Sequence, residues 1–234
     1  MAMRYWRVGM FVLGIGWVGN AFAGPTVEEV TKKITEASKN LKSFSAKVKM
    51  VTEMKQEGFS MTSKMDGTIE MMRKGDHFMM RNETEGVSET SVAGQTNKQE
   101  TSSVMINDGE YQYTLSEMGG AKSAYKSKHQ GPGPDEDPFQ AWRETADLKV
   151  LPDESVEGME VWVIEVTPKE GQFQQGKSLL YFHKDSGQMI KMVVNTPDGT
   201  PMTTMTYSDI KINPKVDADR FEFKPPPGVT VQEM

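Results

Sequence analysis

Cysteine is absent from this 234-residue chain. Without cysteine the fold contains no disulfide, and no thiol is available to carry a lipid anchor. The folded state must therefore be stabilised by its hydrophobic core alone.

Long apolar runs are also absent, except at the N terminus. There, Arg4 and Arg7 precede an apolar run over residues 8–18 and a small-x-small sequence at 21–23. This layout is typical of a secretory signal peptide, so we predict that residues 1–23 form one, cleaved before Gly24. An uncleaved anchor is the alternative, although the run is short for a transmembrane helix. We expect residues 24–234 to form a single exported domain, periplasmic if the cell has two membranes.

Acidic residues outnumber basic ones in the predicted mature chain. Beyond residue 23, 25 basic residues stand against 33 acidic ones, a net charge of −8. An acidic surface argues against a nucleic-acid partner and provides no attraction to anionic lipid headgroups.

Catalytic motifs are missing as well. The chain has no Gly-x-Ser-x-Gly, no His-Glu-x-x-His and no phosphate-binding glycine loop. We therefore predict no catalytic residues, no enzyme activity and no cofactor. Thioethers suit Cu(I), but the methionines are spread along the chain and His77, His129 and His183 stand far apart. We predict no metal site.

What the chain does contain is a long alternating pattern over residues 44–71, in two runs separated by Gly58. The apolar positions are Phe44, Ala46, Val48, Met50, Met54, Phe59, Met61, Met65, Ile69 and Met71. Because successive side chains project from opposite faces of a strand, the pattern predicts two antiparallel strands with one apolar face. Each run is about twice the usual strand length of roughly 5–6 residues. Long one-sided strands favour a broad, curved sheet with an apolar concavity that suits lipid.

Two helices are predicted. The first covers residues 26–41, where Thr26 and Glu29 form a capping-box pattern before an apolar stripe. The second is short, about ten residues, and begins with Asp137 at the N-cap and proline at the first helical position. It carries Phe139, Trp142 and Leu148.

The other segments are predicted to be mostly strands. Residues 76–81 form a third strand, and residues 104–115 form a hairpin that turns at 107–109. A meander follows, with strands at Val161–Thr167, Ser178–His183, Met189–Thr196, Met202–Ile212 and Phe221–Phe223. The polar stretch 84–103 is predicted to be a mobile loop or a weak hairpin, and 117–136 is a second polar stretch.

Several short motifs occur in a fixed order along the chain. They are Ile106–Asn107–Asp108–Gly109, Leu180–Tyr181–Phe182-x-Lys184–Asp185-x-Gly187, Tyr207–Ser208–Asp209–Ile210, and Phe221-x-Phe223-x-Pro225–Pro226-x-Gly228–Val229-x-Val231. Together with the N-terminal helix, this order resembles the outer-membrane lipoprotein carrier family, the periplasmic lipoprotein-sorting proteins, from about Pro25 to Val231. Residues 73–81 lack the tryptophan of that family's basic and aromatic cluster, and the two polar stretches resemble insertions.

The resemblance implies an α+β fold: a curved antiparallel sheet, or incomplete β-barrel, with helices covering its concave face. It also implies a monomeric periplasmic carrier that binds the acyl chains of lipoproteins or lipids. Such a carrier receives cargo from an inner-membrane transporter and passes it to an outer-membrane acceptor. The alternatives are a sensor of lipid or lipoprotein that acts through a protein partner, and a purely structural envelope protein with a filled core.

The candidate site is a hydrophobic cavity closed by a lid. Its predicted wall consists of Met50, Met61, Met65, Ile69, Met79 and Tyr113, with Phe139 and Trp142 in the lid. The alternative for each methionine is ordinary core packing. The alternative for the two aromatic residues is a helix that packs permanently on the sheet.

Overall fold

A computed structural model describes residues 24–129, 136–169 and 176–233. The predicted signal peptide lies outside these ranges. The strands are β1 (Ser43–Gln56), β2 (Phe59–Lys74), β3 (His77–Val92), β4 (Gln95–Asn107), β5 (Tyr111–Met118), β6 (Ala121–Lys128), β7 (Ala146–Val156), β8 (Met159–Pro168), β9 (Ser178–His183), β10 (Met189–Asn195), β11 (Pro201–Ile212) and β12 (Val231–Glu233). The helices are α1 (Val27–Ser38), α2 (Gln140–Thr145) and a 3₁₀ helix, Ala218–Phe221. None of the described helices is long and apolar enough to cross a membrane.

All twelve strands belong to one open, curved sheet. Their order is β12-β6-β5-β4-β3-β2-β1-β11-β10-β9-β8-β7. Neighbouring strands are antiparallel except β12, which pairs with β6 in parallel. The two outermost strands, β12 and β7, are not hydrogen-bonded to each other, so the sheet has the form of an incomplete barrel. This confirms the antiparallel, curved sheet predicted from the sequence.

The first two strands are long because their pairing is unbroken. Every residue of β1 from Ser43 to Gln56 has a partner in β2. The chain reverses at Gly58, whose φ of +73° is readily adopted only by glycine. The two strands predicted over residues 44–71 are therefore confirmed, and each extends beyond its predicted end.

The polar stretch 84–103 is regular structure. It contains the outer halves of β3 and β4, which pair continuously from Met80 and Asn107 to Val92 and Gln95. Of the two alternatives predicted for this stretch, the hairpin is confirmed and the mobile loop was wrong, because the backbone ladder between neighbouring strands needs no apolar side chain. Residues 117–128 likewise belong to the β5–β6 hairpin, which turns at Gly119. Residues 130–135, near the end of the other polar stretch, lie outside the described ranges.

The second helix differs from its prediction. It has six residues, starting at Gln140. The N-cap is Phe139 and not Asp137 as predicted, and it makes no side-chain capping bond. The Oδ1 of Asp137 instead accepts the backbone N–H of Phe139 at 2.9 Å, in the turn that precedes the helix. Leu148 belongs to β7, because pairing of residues 146–156 with β8 overrides local helical spacing.

The predicted strand at Phe221–Phe223 is also wrong. Phe221 ends the 3₁₀ helix and is buried against Met79 and Ile106. Phe223 stacks on Tyr113, with ring centroids 4.9 Å apart. The aromatic pair therefore anchors the C-terminal segment to the sheet by side-chain packing instead of by a backbone ladder.

The first helix forms as predicted, although it ends at Ser38. The capping box is present: the Glu29 side chain accepts from the Thr26 backbone at 2.9 Å, and Thr26 Oγ1 accepts from the Glu29 backbone at 3.2 Å. Its buried residues Val30 and Ile34 share a cluster with Phe139 and residues of β8 and β9. Both helices therefore lie over the β7–β9 end of the sheet. Helices covering the whole concave side remain a prediction.

Candidate ligand-binding face

One face of the sheet carries an unbroken row of uncharged side chains. The row follows residues that are directly paired from strand to strand, so they project from the same face. From β7 to β6 its members are Val150, Ile164, Leu180, Met192, Met205, Met50, Met65, Gly86, Thr101, Met118 and Ala121. We call this side of the sheet the uncharged face and the other side the charged face.

The rows on either side of this central row are uncharged too. One contains Tyr207, Val48, Gly67, Thr84, Ser103, Ser116 and Ser123. The other contains Leu148, Val166, Ser178, Val194, Thr203, Thr52, Ser63, Ser88 and Gln99. The face thus has two halves: it is mainly apolar from β7 to β2, and it is lined mainly by hydroxyl and amide groups from β3 to β6.

The charged side chains of the paired residues of β3–β6 all lie on one face of the sheet. On the uncharged face, none of the 22 paired positions is charged. On the charged face of the same strands, 10 of the 20 paired positions are Lys, Arg, Asp or Glu. A sheet face that meets only water has no reason to exclude charge, whereas a charge facing apolar material is costly. The sorting therefore indicates that the uncharged face contacts something apolar or neutral.

Two glycines mark the border between the halves. Gly67 in β2 pairs with Thr84, and Gly86 in β3 pairs with Met65. A β-carbon at Gly67 would lie 1.9 Å from the backbone oxygen of Glu83, and one at Gly86 would lie 1.9 Å from that of Lys64. The backbones approach here more closely than a β-carbon allows, which permits the sheet to bend, and these two positions of the border carry no side chain.

The apolar half is covered at one end only by the described helices. Near β8 and β9, Ile164 and Leu180 are buried beneath α1 and Phe139. Further along the same row, Met192, Met205 and Met50 are half-buried. The hydrophobic core therefore continues, without a polar break, onto a surface that solvent still reaches.

Four of the six predicted wall residues lie on this face. Met50 pairs directly with Met65, and Met61 and Ile69 have the same alternation in β2. Met65 and Ile69 are 8% and 4% exposed, so they belong to the core, whereas Met50 and Met61 are half-buried. The structure brings these four together as the alternation predicted.

Met79 and Tyr113 lie on the charged face and do not join that wall. Met79 pairs with Met72, whereas its neighbour Met80 pairs with Met71 on the uncharged face. Met79 is 4% exposed, because the C-terminal segment covers it. The prediction failed for both residues because a shift of one position in register reverses the face of a side chain. Sequence alone does not fix that register.

Met192 and Met205 were missed, although Met205 stands beside Met50 in the central row and Met192 stands beside Met205. Their strands were predicted, but strand order was not. Only the pairing of β11 with β1 brings Met205 next to Met50. Alternation in Met202–Ile212 would have placed Met205 on the same face as Tyr207, and no local pattern identifies the neighbouring strand.

The two predicted lid residues have different environments. Phe139 is 2% exposed and packs edge-on against Phe182, with centroids 5.3 Å apart. Trp142 is 37% exposed. Phe139 thus has the environment of a core residue, and Trp142 lies at the surface of α2. Whether the segment opens as a lid remains a prediction.

Tyr207 is the most strongly perturbed group near the site. It pairs with Val48, contacts the Phe44 ring at a centroid distance of 6.1 Å and is 8% exposed. Burial raises the pKa of Tyr207 to about 12, because the apolar surroundings disfavour the phenolate. The Tyr207 side chain on this face is therefore a neutral phenol.

Two grooves lie on the charged face, with volumes of about 670 and 860 Å³. In the smaller groove the charged lining is paired internally: Lys47 bonds Asp209 at 2.6 Å and Arg220 bonds Glu70 at 2.8 Å. The Lys47 ammonium lowers the pKa of Asp209 through this hydrogen bond and its charge. The first pair joins β1 to β11 and the second attaches the C-terminal segment to β2, so these charged groups of the smaller groove already have partners. In the described ranges no group of three or more His, Asp or Glu side chains converges as a metal site.

A family of unknown function, DUF6612, matches residues 26–122, which is less than half of the chain. This segment covers α1, β1–β5 and the start of β6. It contains the glycine border and much of the polar half of the uncharged face. No curated protein matches the chain.

Several solved structures are similar to this chain at low identity. MucB is 15% identical with a TM-score of 0.46; the match covers 84% of this chain but only 62% of MucB, less than two thirds of its length. An uncharacterized conserved protein from Thermus thermophilus is 8% identical over 88% of this chain and 98% of its own, with a TM-score of 0.46. A putative outer membrane lipoprotein-sorting protein domain from Vibrio parahaemolyticus is 11% identical over 82% and 94%, with a TM-score of 0.38.

Proposed function

We propose that this protein is a non-enzymatic carrier that binds acyl chains of lipids or lipoproteins on its uncharged face, in the cell envelope. The observation that carries the proposal is the apolar part of the central row, which crosses seven strands from Val150 to Met65 without a polar residue. The signal-peptide pattern of residues 1–23 supports the envelope location. Transfer towards an outer-membrane acceptor is part of this proposal.

The dimensions of the row suit an acyl chain. Adjacent strands are about 4.8 Å apart, so seven strands span about 29 Å. A bilayer core of about 30 Å holds two acyl chains end to end, so one chain needs roughly half of this length. Burial of about sixteen methylenes is worth on the order of 12 kcal/mol, from which the costs of association are subtracted.

Methionine suits a surface that must both bind an acyl chain and release it. Met192, Met205 and Met50 are adjacent in the row and half-buried. Their unbranched, polarisable side chains adapt to ligands of different shape without a fixed cavity. This arrangement favours a carrier over a protein whose core is closed.

The test compares a charge placed on the two faces of one strand. Met50→Asp introduces a carboxylate in the middle of the apolar row. Val51→Asp introduces the same group at the next residue, which is also half-buried but projects from the charged face opposite Lys64. The full chain and both variants would be expressed in a bacterial host and purified without detergent. Bound lipid would be identified by native mass spectrometry and solvent extraction.

We expect wild type and Val51→Asp to carry acyl lipid and to bind the fluorescent hydrophobic probe N-phenylnaphthylamine. Met50→Asp should lose both the bound lipid and the binding of the probe. Circular dichroism and a urea titration would establish that each variant is folded. If Met50→Asp does not fold, Met205→Asp on the neighbouring strand provides the same comparison. Wild-type protein that carries no lipid and binds no probe would refute the proposed function. Equal binding by all variants would place the lipid elsewhere.

A further inference from the structure

The polar half of the uncharged face has unused hydrogen-bonding capacity. Within the described ranges, the hydroxyls of Thr84, Ser103 and Ser116 make no hydrogen bond to another residue. These three residues are consecutive in one cross-strand row, and all are half-buried. Each hydroxyl is both a donor and an acceptor, so the row presents a neutral surface able to bond a polar group in either sense.

Asn82 adds an acceptor that lacks a donor. It pairs with Ile69 on the apolar side and with Met105 on the other, next to the row of hydroxyls. Its Oδ1 is buried and has no hydrogen-bond partner among the described residues. Buried polar atoms in folded proteins are almost always bonded, and each exception calls for an explanation such as a missing ligand donor. The donors best suited to this position are neutral O–H or N–H groups.

Charge excludes the common alternative headgroups. A phosphate or carboxylate placed over β3–β6 would meet none of the Lys or Arg side chains of these strands, since all of them project from the charged face. An anion without a cationic partner in a partly desolvated site is strongly disfavoured. A hydroxyl-rich, uncharged headgroup meets no such penalty.

The apolar and polar halves of the uncharged face meet between β2 and β3, and a ligand that contacts both halves crosses this border. Gly67 and Gly86 leave two positions of the border between β2 and β3 without a side chain, opposite Thr84 and Met65. A lipid whose chain lies along Met50 and Met65 would cross this border close to the backbone. Its head would then lie over Asn82 and Thr84.

We propose that the ligand is a glycosyl lipid: its acyl chains occupy the apolar half, and its uncharged, hydroxyl-rich head is bonded by Asn82, Thr84 and Ser103. This inference rests on the proposed function, because it names the lipid that the same face selects. The Asn82 amide oxygen accepts from a sugar hydroxyl, and the neighbouring hydroxyls bond the remaining donors and acceptors.

The test is a competition among three amphiphiles of equal acyl length. Short-chain glucosyl diacylglycerol, phosphatidylglycerol and an acylated, amidated dipeptide would each displace N-phenylnaphthylamine from the full chain. We expect the glucosyl lipid to compete about tenfold better than the other two, which corresponds to the net worth of one or two hydrogen bonds. Asn82→Leu should remove about tenfold of this advantage, with each competition referred to the variant's own affinity for the probe. Asn97→Leu, on the same face at the exposed β4 end, is the matched control and should change nothing.

The outcomes separate the two proposals. Absence of probe binding would refute the proposed function itself. Probe binding with equal or stronger competition by phosphatidylglycerol would overturn only the glycosyl assignment. Preference for the acylated dipeptide would show that the polar half bonds peptide amides instead of sugar. An Asn82→Leu variant that folds and keeps the glucosyl preference would also overturn the assignment.

Discussion

Tyr207 links the apolar half of the uncharged face to the stability of the whole fold at alkaline pH. Its pKa is about 12 in the folded protein, against an ordinary value of 10.0. The pKa is raised, so the folded state retains the phenol proton more tightly than the unfolded chain does. The contribution of this group is fully present below pH 10 and is lost as the pH rises towards the folded pKa. With about 1.36 kcal/mol per pH unit, the complete loss is about 3 kcal/mol.

The perturbation is Tyr207→Phe, which keeps the ring against Phe44 and removes the ionisable hydroxyl. Urea unfolding of both proteins would be followed by circular dichroism at pH 8, 10 and 11, within the range of pH in which the backbone is not hydrolysed during the measurement. The difference in unfolding free energy between wild type and variant should be constant up to about pH 9. It should then shift by about 1 kcal/mol against wild type at pH 11.

The comparison cancels other titrating groups. Desolvation also raises the pKa of Tyr181 and of Tyr113, but both remain in both proteins. A difference that stays constant from pH 8 to pH 11 would refute the reasoning. It would mean that solvent reaches the Tyr207 hydroxyl and that this part of the face is more open than its burial indicates.

Three further predictions concern stability. Gly67→Ala should destabilise the sheet by more than about 1 kcal/mol, because the new β-carbon would overlap the Glu83 carbonyl; an unchanged urea midpoint would mean that the bend is not needed. Thr26→Ala should cost about 1 kcal/mol through loss of the N-cap, and Thr26→Ser should recover most of it in the same assay. Phe139→Ala should cost about 3–5 kcal/mol in thermal unfolding, because it leaves a cavity beside Phe182; a much smaller cost would favour a segment that lifts readily from the sheet.

Residues of the charged face also bind the C-terminal segment of the chain. Arg220 bonds Glu70 at 2.8 Å, and Arg81 donates to the Arg220 carbonyl at 3.1 Å. These contacts hold the C-terminal segment over Met79 and Ile106. The two faces are therefore specialised: the C-terminal segment covers part of the charged face, and the uncharged face remains charge-free over much of its area.

The sequence by itself determined the local elements. Alternation over residues 44–71 is a property of the strand, so it identified the apolar face of β1 and β2 before any partner was known. The Thr26–Glu29 capping box is equally local, and it formed as expected. The absence of cysteine determined that packing, and not a covalent link, holds these elements together.

Only the tertiary structure decided which strands are neighbours and which residues oppose each other. Met192, Met205, Met50 and Met65 are far apart in the chain and become one row through non-local pairing. Register placed Met80 on the uncharged face and Met79 on the charged one, because a shift of one residue reverses every side chain of a strand. Pairing with β8 places Leu148 in a strand in spite of its helical spacing. Pairing between β3 and β4 likewise makes the polar stretch 84–103 part of the sheet. Backbone pairing acts between residues distant in sequence, so no local pattern contains it.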